Sequence, residues 1–256
     1  MSSDAVPSDA VPSEVGSAQS LTDMTWPEVE ARTRGGALLV VPLGSCEQHG
    51  PHLPLDTDTR IAVALAQALV DRLDTPSAPL VLAPAVAVGA SGEHESFPGT
   101  LSIGTLALET VLVELVRSAL PAEGSDRPRP FRGVVLVNGH GGNVEATNRA
   151  AALLAEERRD VLVWHPRVPD GDSHAGRTET SMLLHLDPSA VRMDLAEPGS
   201  VARWREIGPI VMSDGLSAVT PNGVLGDPTG ATAAEGESVV AALVDHLCAA
   251  VEAWVG

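Results

Sequence analysis

The feature that most constrains the fold is a series of short, almost wholly apolar runs separated by longer segments with helical periodicity. The apolar runs are residues 37–43, 80–88, 133–138 and 161–165. Because polar and apolar residues do not alternate within them, both faces of each predicted strand should be covered, which is typical of parallel strands. The predicted helices are residues 59–73, 105–120, 144–158, 178–186 and 233–254. This order predicts an α/β fold, a single three-layer α-β-α domain with a mainly parallel sheet.

The start of the chain has a different composition from the rest. It contains the unit SDAVP twice in tandem and few apolar side chains. Residues 1–20 are therefore predicted to be a disordered extension. Residues 21–256 are predicted to form one catalytic domain, since a chain of 256 residues lies within the range of single α/β domains.

Charge and cysteine content restrict the partners and the compartment. A net charge of −18 repels phosphate groups, so neither nucleic acid nor an anionic membrane surface is an expected partner. The two cysteines are far apart in the sequence, and we find neither a signal-peptide pattern nor an apolar run of about 18 residues. These features predict a cytoplasmic protein with a small or peptidic substrate.

Side chains suited to metal binding follow the predicted strands. Glu47 and His49 follow the first strand, His140 follows the third, and His174 and Glu179 follow the fourth. In an open parallel sheet, ligands bind beyond the carboxyl ends of the strands. We therefore expect these side chains to meet at one edge of the sheet, although any one of them alone would more often be a solvated loop residue or a helix cap.

Together with Asp58, which lies just beyond a proline-rich turn, these residues fit a paired divalent-metal site. Such a site needs one bridging carboxylate and one or two further ligands for each ion. The assignment is Asp58 as the bridge, Glu47 and His140 on one ion, and His49 and Glu179 on the other. A water held between two ions becomes a nucleophile for an amide carbon. His174 and Glu179 are the predicted catalytic residues, with His174 carrying the proton to the leaving nitrogen.

The loop after the second strand leaves two alternatives open. Glu93 and His94 either line the same pocket or belong to a rigid turn at residues 97–98. Cys46 is expected to pack against the protein and not to bind metal, because it should face away from Glu47 on an extended segment.

Four ordered motifs together resemble the creatininase family of metal-dependent amidohydrolases. They are GSCEQHGPHLPLDTDT, GEHESFPGTLSIGT, VNGHGGN and HAGRTETS. The resemblance implies the creatininase-like fold, a homohexamer, and two divalent metal ions per subunit, which are Zn, Fe(II) or Mn. It also implies that His174 acts in proton transfer.

The resemblance carries four metal ligands onto this sequence and leaves the fifth to be identified. The four are Glu47, His49, Asp58 and His140. Creatininase itself has a glutamate two residues after the NGH histidine, where this chain has Gly142. Glu179 is therefore the candidate for the fifth ligand, and creatinine is not the expected substrate.

The stretch NGVLGDPTGATAAEGE, residues 222–237, and the segment DTDTRIA are similar to the subgroup of this family encoded with the mycofactocin cluster of actinobacteria. This similarity implies a peptidase that cleaves the modified mycofactocin precursor peptide and releases its C-terminal Val-Tyr-derived core. One alternative is a hydrolase of a small cyclic amide or formamide. Another is a noncatalytic protein that binds the peptide or stores metal.

Overall fold

A four-stranded parallel sheet forms the centre of the computed structural model, which describes residues 20–256. The strands are β1 Ala37–Leu43, β2 Leu80–Leu82, β3 Phe131–Asn138 and β4 Val161–Trp164. They pair in the order β2-β1-β3-β4, and every pairing is parallel. The predicted disorder of residues 1–20 concerns a segment that, apart from Ser20, lies outside the described residues.

Seven α-helices connect and cover the strands within the described residues. They are α1 Trp26–Arg32, α2 Thr57–Leu73, α3 Gly104–Ala119, α4 Val144–Glu156, α5 Arg177–Leu186, α6 Trp204–Asp214 and α7 Ala233–Val255. Strands and helices largely alternate along the chain, as the sequence predicts.

Each face of the sheet carries its own apolar layer because successive side chains of a strand point to opposite faces. Leu39 and Val41 of β1 are buried with the inner faces of α3 and α4. Leu38 and Val40 are buried with the inner faces of α2 and α7 on the other side of the sheet. This arrangement confirms the predicted three-layer α-β-α fold with a parallel sheet.

The last helix is the most apolar one. By length and composition α7 could cross a membrane, but Leu243, Leu247 and Val251 are buried against the sheet layer. One face of α7 is therefore part of the core, as in an amphipathic helix of a globular domain.

The predicted second strand, residues 80–88, was too long. The strand ends at Leu82, and beyond it the chain meets β1 through a hydrogen bond from Ala83 N–H to the carbonyl oxygen of Val40 and an isolated bridge between Leu43 and Val86. Pro84 lacks the backbone N–H that a continuing strand needs. The predicted strand was too long because the residues after Leu82 are apolar although they do not continue the strand.

Two helices were not predicted. The helix α1 has seven residues, too few for a clear periodic pattern. The helix α6 contains Gly208 and Pro209, two residues that usually indicate a turn or a helix end. The helix α2 also begins at Thr57, earlier than predicted, so that Asp58 lies in its first turn.

The first turn of α2 packs directly on the ends of β1 and β3. A Cβ atom on Gly44 would lie 2.4 Å from Thr59 Cα, and one on Gly139 would lie 2.6 Å from the carbonyl oxygen of Asp58. Both positions are too close for any side chain. These two glycines therefore set the height at which Asp58 sits above the sheet.

We expect Gly139→Ala to lower the free energy of unfolding by about 1–3 kcal/mol, because the added methyl group would push against the backbone of Asp58. Gly141→Ala is the matched control from the same turn, since a Cβ atom there meets no atom of the described residues within 4 Å. Urea unfolding of both variants measures the difference. Equal stability of the two variants would contradict the close packing.

Candidate metal centre

Five side chains meet at the carboxyl edge of the sheet and form what we call the carboxylate–histidine cluster. They are Glu47, His49, Asp58, His140 and Glu179. The first four are at most 5% exposed, and the side chain of Glu179 is 20% exposed. The structure thus brings together all five residues that the sequence predicts as ligands.

The first group in the cluster consists of Glu47, Asp58 and His140, whose ligand atoms lie within 4.8 Å of one another. His140 Nε2 is 3.1 Å from Glu47 Oε2, and His140 Nδ1 is 3.1 Å from Asp58 Oδ2. His140 lies directly after β3, in the turn of the NGHGGN motif.

The second group consists of His49, Asp58 and Glu179. His49 Nε2 is 3.1 Å from Asp58 Oδ1 and 3.8 Å from Glu179 Oε2. Asp58 belongs to both groups, and its two carboxylate oxygens face different histidines. This is the placement expected of a bridging carboxylate, and the ligand role of each residue stays a prediction.

The surroundings of Glu47 show that the cluster fits a cation. Its carboxylate is fully buried, and neither oxygen has a hydrogen bond within the described residues. A buried carboxylate without hydrogen bonds is destabilising, and a bound metal ion would compensate its charge more fully than the nearby imidazoles of His140 and His94. Imidazole and carboxylate ligands suit divalent ions such as Zn, Mn and Fe(II). The residues present therefore fit the predicted pair of divalent ions.

The pKa values of the acidic residues reflect the crowding of negative charge. Burial raises the pKa of Glu47 to about 7. Burial and the neighbouring charge of Asp58 raise the pKa of Glu179 to about 7. Burial would also raise the pKa of Asp58, but His49 and His140 hold it well below its usual range. The bridging position is therefore the one that stays ionised.

The neighbouring carboxylates also change the pKa values of the two histidines in the cluster. Burial alone would lower the pKa of His49, but the carboxylates of Asp58, Glu179 and Glu47 raise it to about 10. The pKa of His140 rises to about 9 because Glu47 and Asp58 outweigh its burial. The carboxylates thus attract positive charge to the nitrogen atoms, and a metal ion would supply that charge in place of the protons.

His174 lies beside the cluster in the loop before α5. Its Nδ1 atom is 3.8 Å from Glu47 Oε1 and 4.0 Å from Glu179 Oε2, while its Nε2 atom is 2.9 Å from the backbone oxygen of Gln48. Burial, together with His49, keeps its pKa well below its usual value. The predicted proton carrier is thus a neutral imidazole next to the cluster, and its catalytic role stays a prediction.

The structure decides between the two alternatives for His94. The ring is buried, its Nε2 atom lies 3.3 Å from Glu47 Oε1, and its centroid is 4.5 Å from that of His174. It also lines the cavity above the cluster. The available signal was its position in a loop that follows a strand, the same argument that located the ligands.

Two amides at the site were not singled out from the sequence. Asn143 accepts a hydrogen bond from the backbone N–H of Ala90 and donates one to the carbonyl oxygen of Gly44, so it ties together the loops after β1, β2 and β3. Gln48 contacts both His94 and His174. On an extended segment Gln48 would face away from its neighbours Glu47 and His49, so no sequence pattern indicated its role.

The turn after His140 has no room for a carboxylate at position 142. A Cβ atom on Gly142 would lie 2.3 Å from the carbonyl oxygen of Ala90 and 2.6 Å from Glu93 Oε1. A glutamate cannot replace this glycine without displacing its neighbours. This agrees with the expectation that Glu179 supplies the fifth carboxylate.

A cavity of about 980 Å³ opens above the cluster. Asp58, His140, His174 and Glu179 contribute to one side of it. The opposite wall is apolar and comes from α6 and the turn after it. Its members are Trp204, Val211, Met212 and Leu216. The cavity therefore combines a charged floor with an apolar wall.

Comparison with known proteins identifies a common family. The creatininase family, described as creatinine amidohydrolase, matches residues 22–251. The mycofactocin precursor peptide peptidase of Mycolicibacterium smegmatis is 52% identical over 219 residues, which cover 85% of both chains. A solved creatininase of the Zn–Zn type is 25% identical, with a TM-score of 0.73 and coverage of 91% of this chain and 98% of that one. A Mn form of creatininase, 24% identical, has the same TM-score of 0.73, with coverage of 91% of this chain and 97% of that one.

We expect Glu47→Gln to have opposite effects on the metal-free and the metal-loaded protein. Without metal, the substitution removes a buried carboxylate whose ionisation burial already disfavours, so the melting temperature should stay equal or rise. With metal, the variant should lose part of the stabilisation, which is about 2.7 kcal/mol for one site at a metal concentration of 100 times Kd.

Thermal melts of chelated and reloaded protein measure both effects. Glu145→Gln is the control, because Glu145 lines the cavity but its side chain is 66% exposed and lies outside the cluster. A Glu47→Gln variant that gains as much stability from metal as the wild type would contradict the role of Glu47 as a ligand.

Proposed function

The chain belongs to the creatininase family of amide-bond hydrolases, and we propose that it is a metal-dependent peptidase that cleaves the modified mycofactocin precursor peptide. The proposed products are the shortened peptide and the C-terminal Val-Tyr-derived core. The identity with the M. smegmatis peptidase over most of both chains carries the choice of substrate. The homohexamer and the cytoplasmic location stay predictions from the sequence.

The carboxylate–histidine cluster and His174 have different proposed roles in hydrolysis. The carboxylate–histidine cluster would hold two divalent ions, which polarise an amide carbonyl and favour ionisation of water when they are bound. His174 is placed to take the proton of the attacking water at Nδ1 and to pass it to the leaving nitrogen. The C–O bond forms and the C–N bond breaks, so no other reactant is needed.

Glu179 is held in place for its role by its own loop. The backbone N–H of Ala175 donates a 2.6 Å hydrogen bond to Glu179 Oε2. Ala175 adopts a positive φ of 51°, a conformation that few residues other than glycine adopt. This bond fixes the carboxylate between His49 and His174, where it serves as a ligand and as an acceptor close to the proton carrier.

The cavity supports a substrate larger than a single small ring. Its volume of about 980 Å³ is at the upper end of the range for small-molecule sites. Trp204, Met212 and Leu216 give its wall an apolar surface suited to the aliphatic and aromatic parts of a Val-Tyr-derived core. A peptide end therefore fits better than creatinine or a formamide.

The direct test is incubation of the metal-loaded protein with the modified mycofactocin precursor peptide. Mass spectrometry should show loss of the C-terminal fragment by the wild type and no cleavage by Glu179→Ala. Metal analysis of that variant should show one ion fewer per chain. If the wild type leaves the peptide intact while the M. smegmatis peptidase cleaves it, the proposed substrate is wrong.

We expect Trp204→Ala to weaken binding of the peptide while leaving the chemistry intact. A Cβ atom on Gly208 would lie 2.9 Å from Cε2 of Trp204, so the indole packs against its own helix, and Trp204 also lines the cavity. Losing the indole should reduce kcat/KM for the peptide by about 10-fold, mainly through KM. Hydrolysis of a simple formamide, if any is detected, should not change.

Trp26→Ala is the matched control for this experiment. Trp26 is 77% exposed on α1 and does not line the cavity. Steady-state kinetics of both variants provide the measurement. Equal KM values for wild type and Trp204→Ala would contradict the assignment of the apolar wall to the substrate.

A further inference from the structure

The side-chain amide of Gln48 has an orientation that its backbone partners fix. Gly50 N–H donates to Gln48 Oε1 at 2.9 Å, and Gln48 Nε2 donates to the carbonyl oxygen of Gly223 at 3.0 Å. A backbone N–H can only donate and a carbonyl oxygen can only accept. The oxygen and nitrogen of the amide are therefore distinguished, and Nε2 has one hydrogen left for a further acceptor.

His174 is not that acceptor. Its Nε2 atom lies 3.0 Å from Gln48 Nε2, but it also lies 2.9 Å from the backbone oxygen of Gln48. Because this oxygen can only accept, His174 Nε2 carries a hydrogen and donates it there. The bare nitrogen of His174 is Nδ1, the atom that faces Glu47 and Glu179.

The second hydrogen of the Gln48 amide therefore goes to His94. Gln48 Nε2 is 3.1 Å from His94 Nδ1, which must accept and hence is bare. The hydrogen of the neutral His94 ring is then on Nε2, the atom 3.3 Å from Glu47 Oε1. The two imidazoles thus have the same tautomer but present opposite atoms to the cluster.

We propose that Gln48 is a positioning residue that makes His94 a hydrogen-bond donor and leaves His174 a hydrogen-bond acceptor toward the metal centre. The bare Nδ1 of His174 can take a proton, while the N–H of His94 points its positive end at the region of the Glu47 carboxylate. One buried amide thereby gives two identical side chains complementary tasks. Only the kinetic consequences of this arrangement rest on the proposed function.

The surrounding backbone is built around this amide. A Cβ atom on Gly223 would lie 1.8 Å from Gln48 Oε1, and Gly223 has a φ of +78°. Gln48 is only 5% exposed. Both the space and the backbone conformation at position 223 thus require glycine, and the amide is enclosed where it can make only these contacts.

The test is the tautomer of each ring, measured by long-range ¹H–¹⁵N correlation spectra of the Zn-loaded full chain labelled with ¹⁵N-histidine. The signals are identified by their loss in His94→Asn and His174→Asn. We expect both wild-type rings to carry the hydrogen on Nε2. A wild-type His94 signal with the hydrogen on Nδ1 would overturn the proposal without any variant of Gln48.

The Gln48→Glu variant provides a second test of the proposal. A carboxylate can only accept, so it should draw the His94 hydrogen to Nδ1, while His174, held by the backbone of residue 48, should keep its tautomer. Gln67→Glu is the matched control, because the Gln67 amide bonds Asp71 on the surface of α2. An unchanged His94 tautomer in a folded Gln48→Glu protein would also overturn the proposal.

Kinetics separate this proposal from the proposed function. Gln48→Glu should lower kcat on the modified peptide by about 10- to 100-fold, with KM and metal content close to the wild type, as for other residues that orient site groups. If the wild type does not cleave the peptide, the proposed substrate fails and the tautomer measurement still decides the role of Gln48. Unchanged kcat together with a switched His94 tautomer would refute the functional importance of the donor.

Discussion

Fold and candidate metal centre meet at a single buried carboxylate, that of Asp58, which belongs to both groups of candidate ligands. Its oxygens lie 3.1 Å from nitrogens of His49 and His140, and Ser45 Oγ donates a 2.8 Å hydrogen bond to Oδ2. The position of this side chain follows from the backbone, because the first turn of α2 rests on the ends of β1 and β3 where Gly44 and Gly139 have no side chains. Fold and site are therefore coupled through one helical turn.

Because the cluster is buried, it does not stabilise the fold by itself. Burial raises the pKa of Glu47 to about 7, and this carboxylate has no hydrogen bond within the described residues. A group arranged for stability alone would be paired or exposed. Residues that break a local rule in this way are expected at functional sites. Here the broken rule is a buried carboxylate without a hydrogen bond, and a divalent cation is what would complete the cluster.

The sequence predicted the sheet, and the meeting of the five candidate ligands at its edge, because both depend on local patterns. Apolar runs locate strands, and in a parallel sheet the residues after them must meet at one edge. The prediction from sequence failed where contacts between distant parts of the chain determine the structure. The strand β2 ends at Leu82, before Pro84, which shortens it relative to the prediction. The helix α6 was not predicted because it contains a glycine and a proline. The role of Gln48 needs Gly223 and His174, which follow it by 175 and 126 residues, so no pattern around position 48 could reveal it.

The fifth carboxylate of the candidate metal centre comes from Glu179 on α5 and not from position 142, so its placement depends on different packing contacts. At position 142 a ligand would belong to the turn after β3, next to His140, but the carbonyl oxygen of Ala90 leaves no space there. Glu179 comes instead from α5, which packs closely on α7, since a Cβ atom on Gly236 would lie 1.8 Å from the carbonyl oxygen of Ser181. The group containing His49 therefore relies on the packing of two helices, whereas the group containing His140 relies on the sheet. Disturbance of the α5–α7 contact should weaken the group containing His49 before the group containing His140.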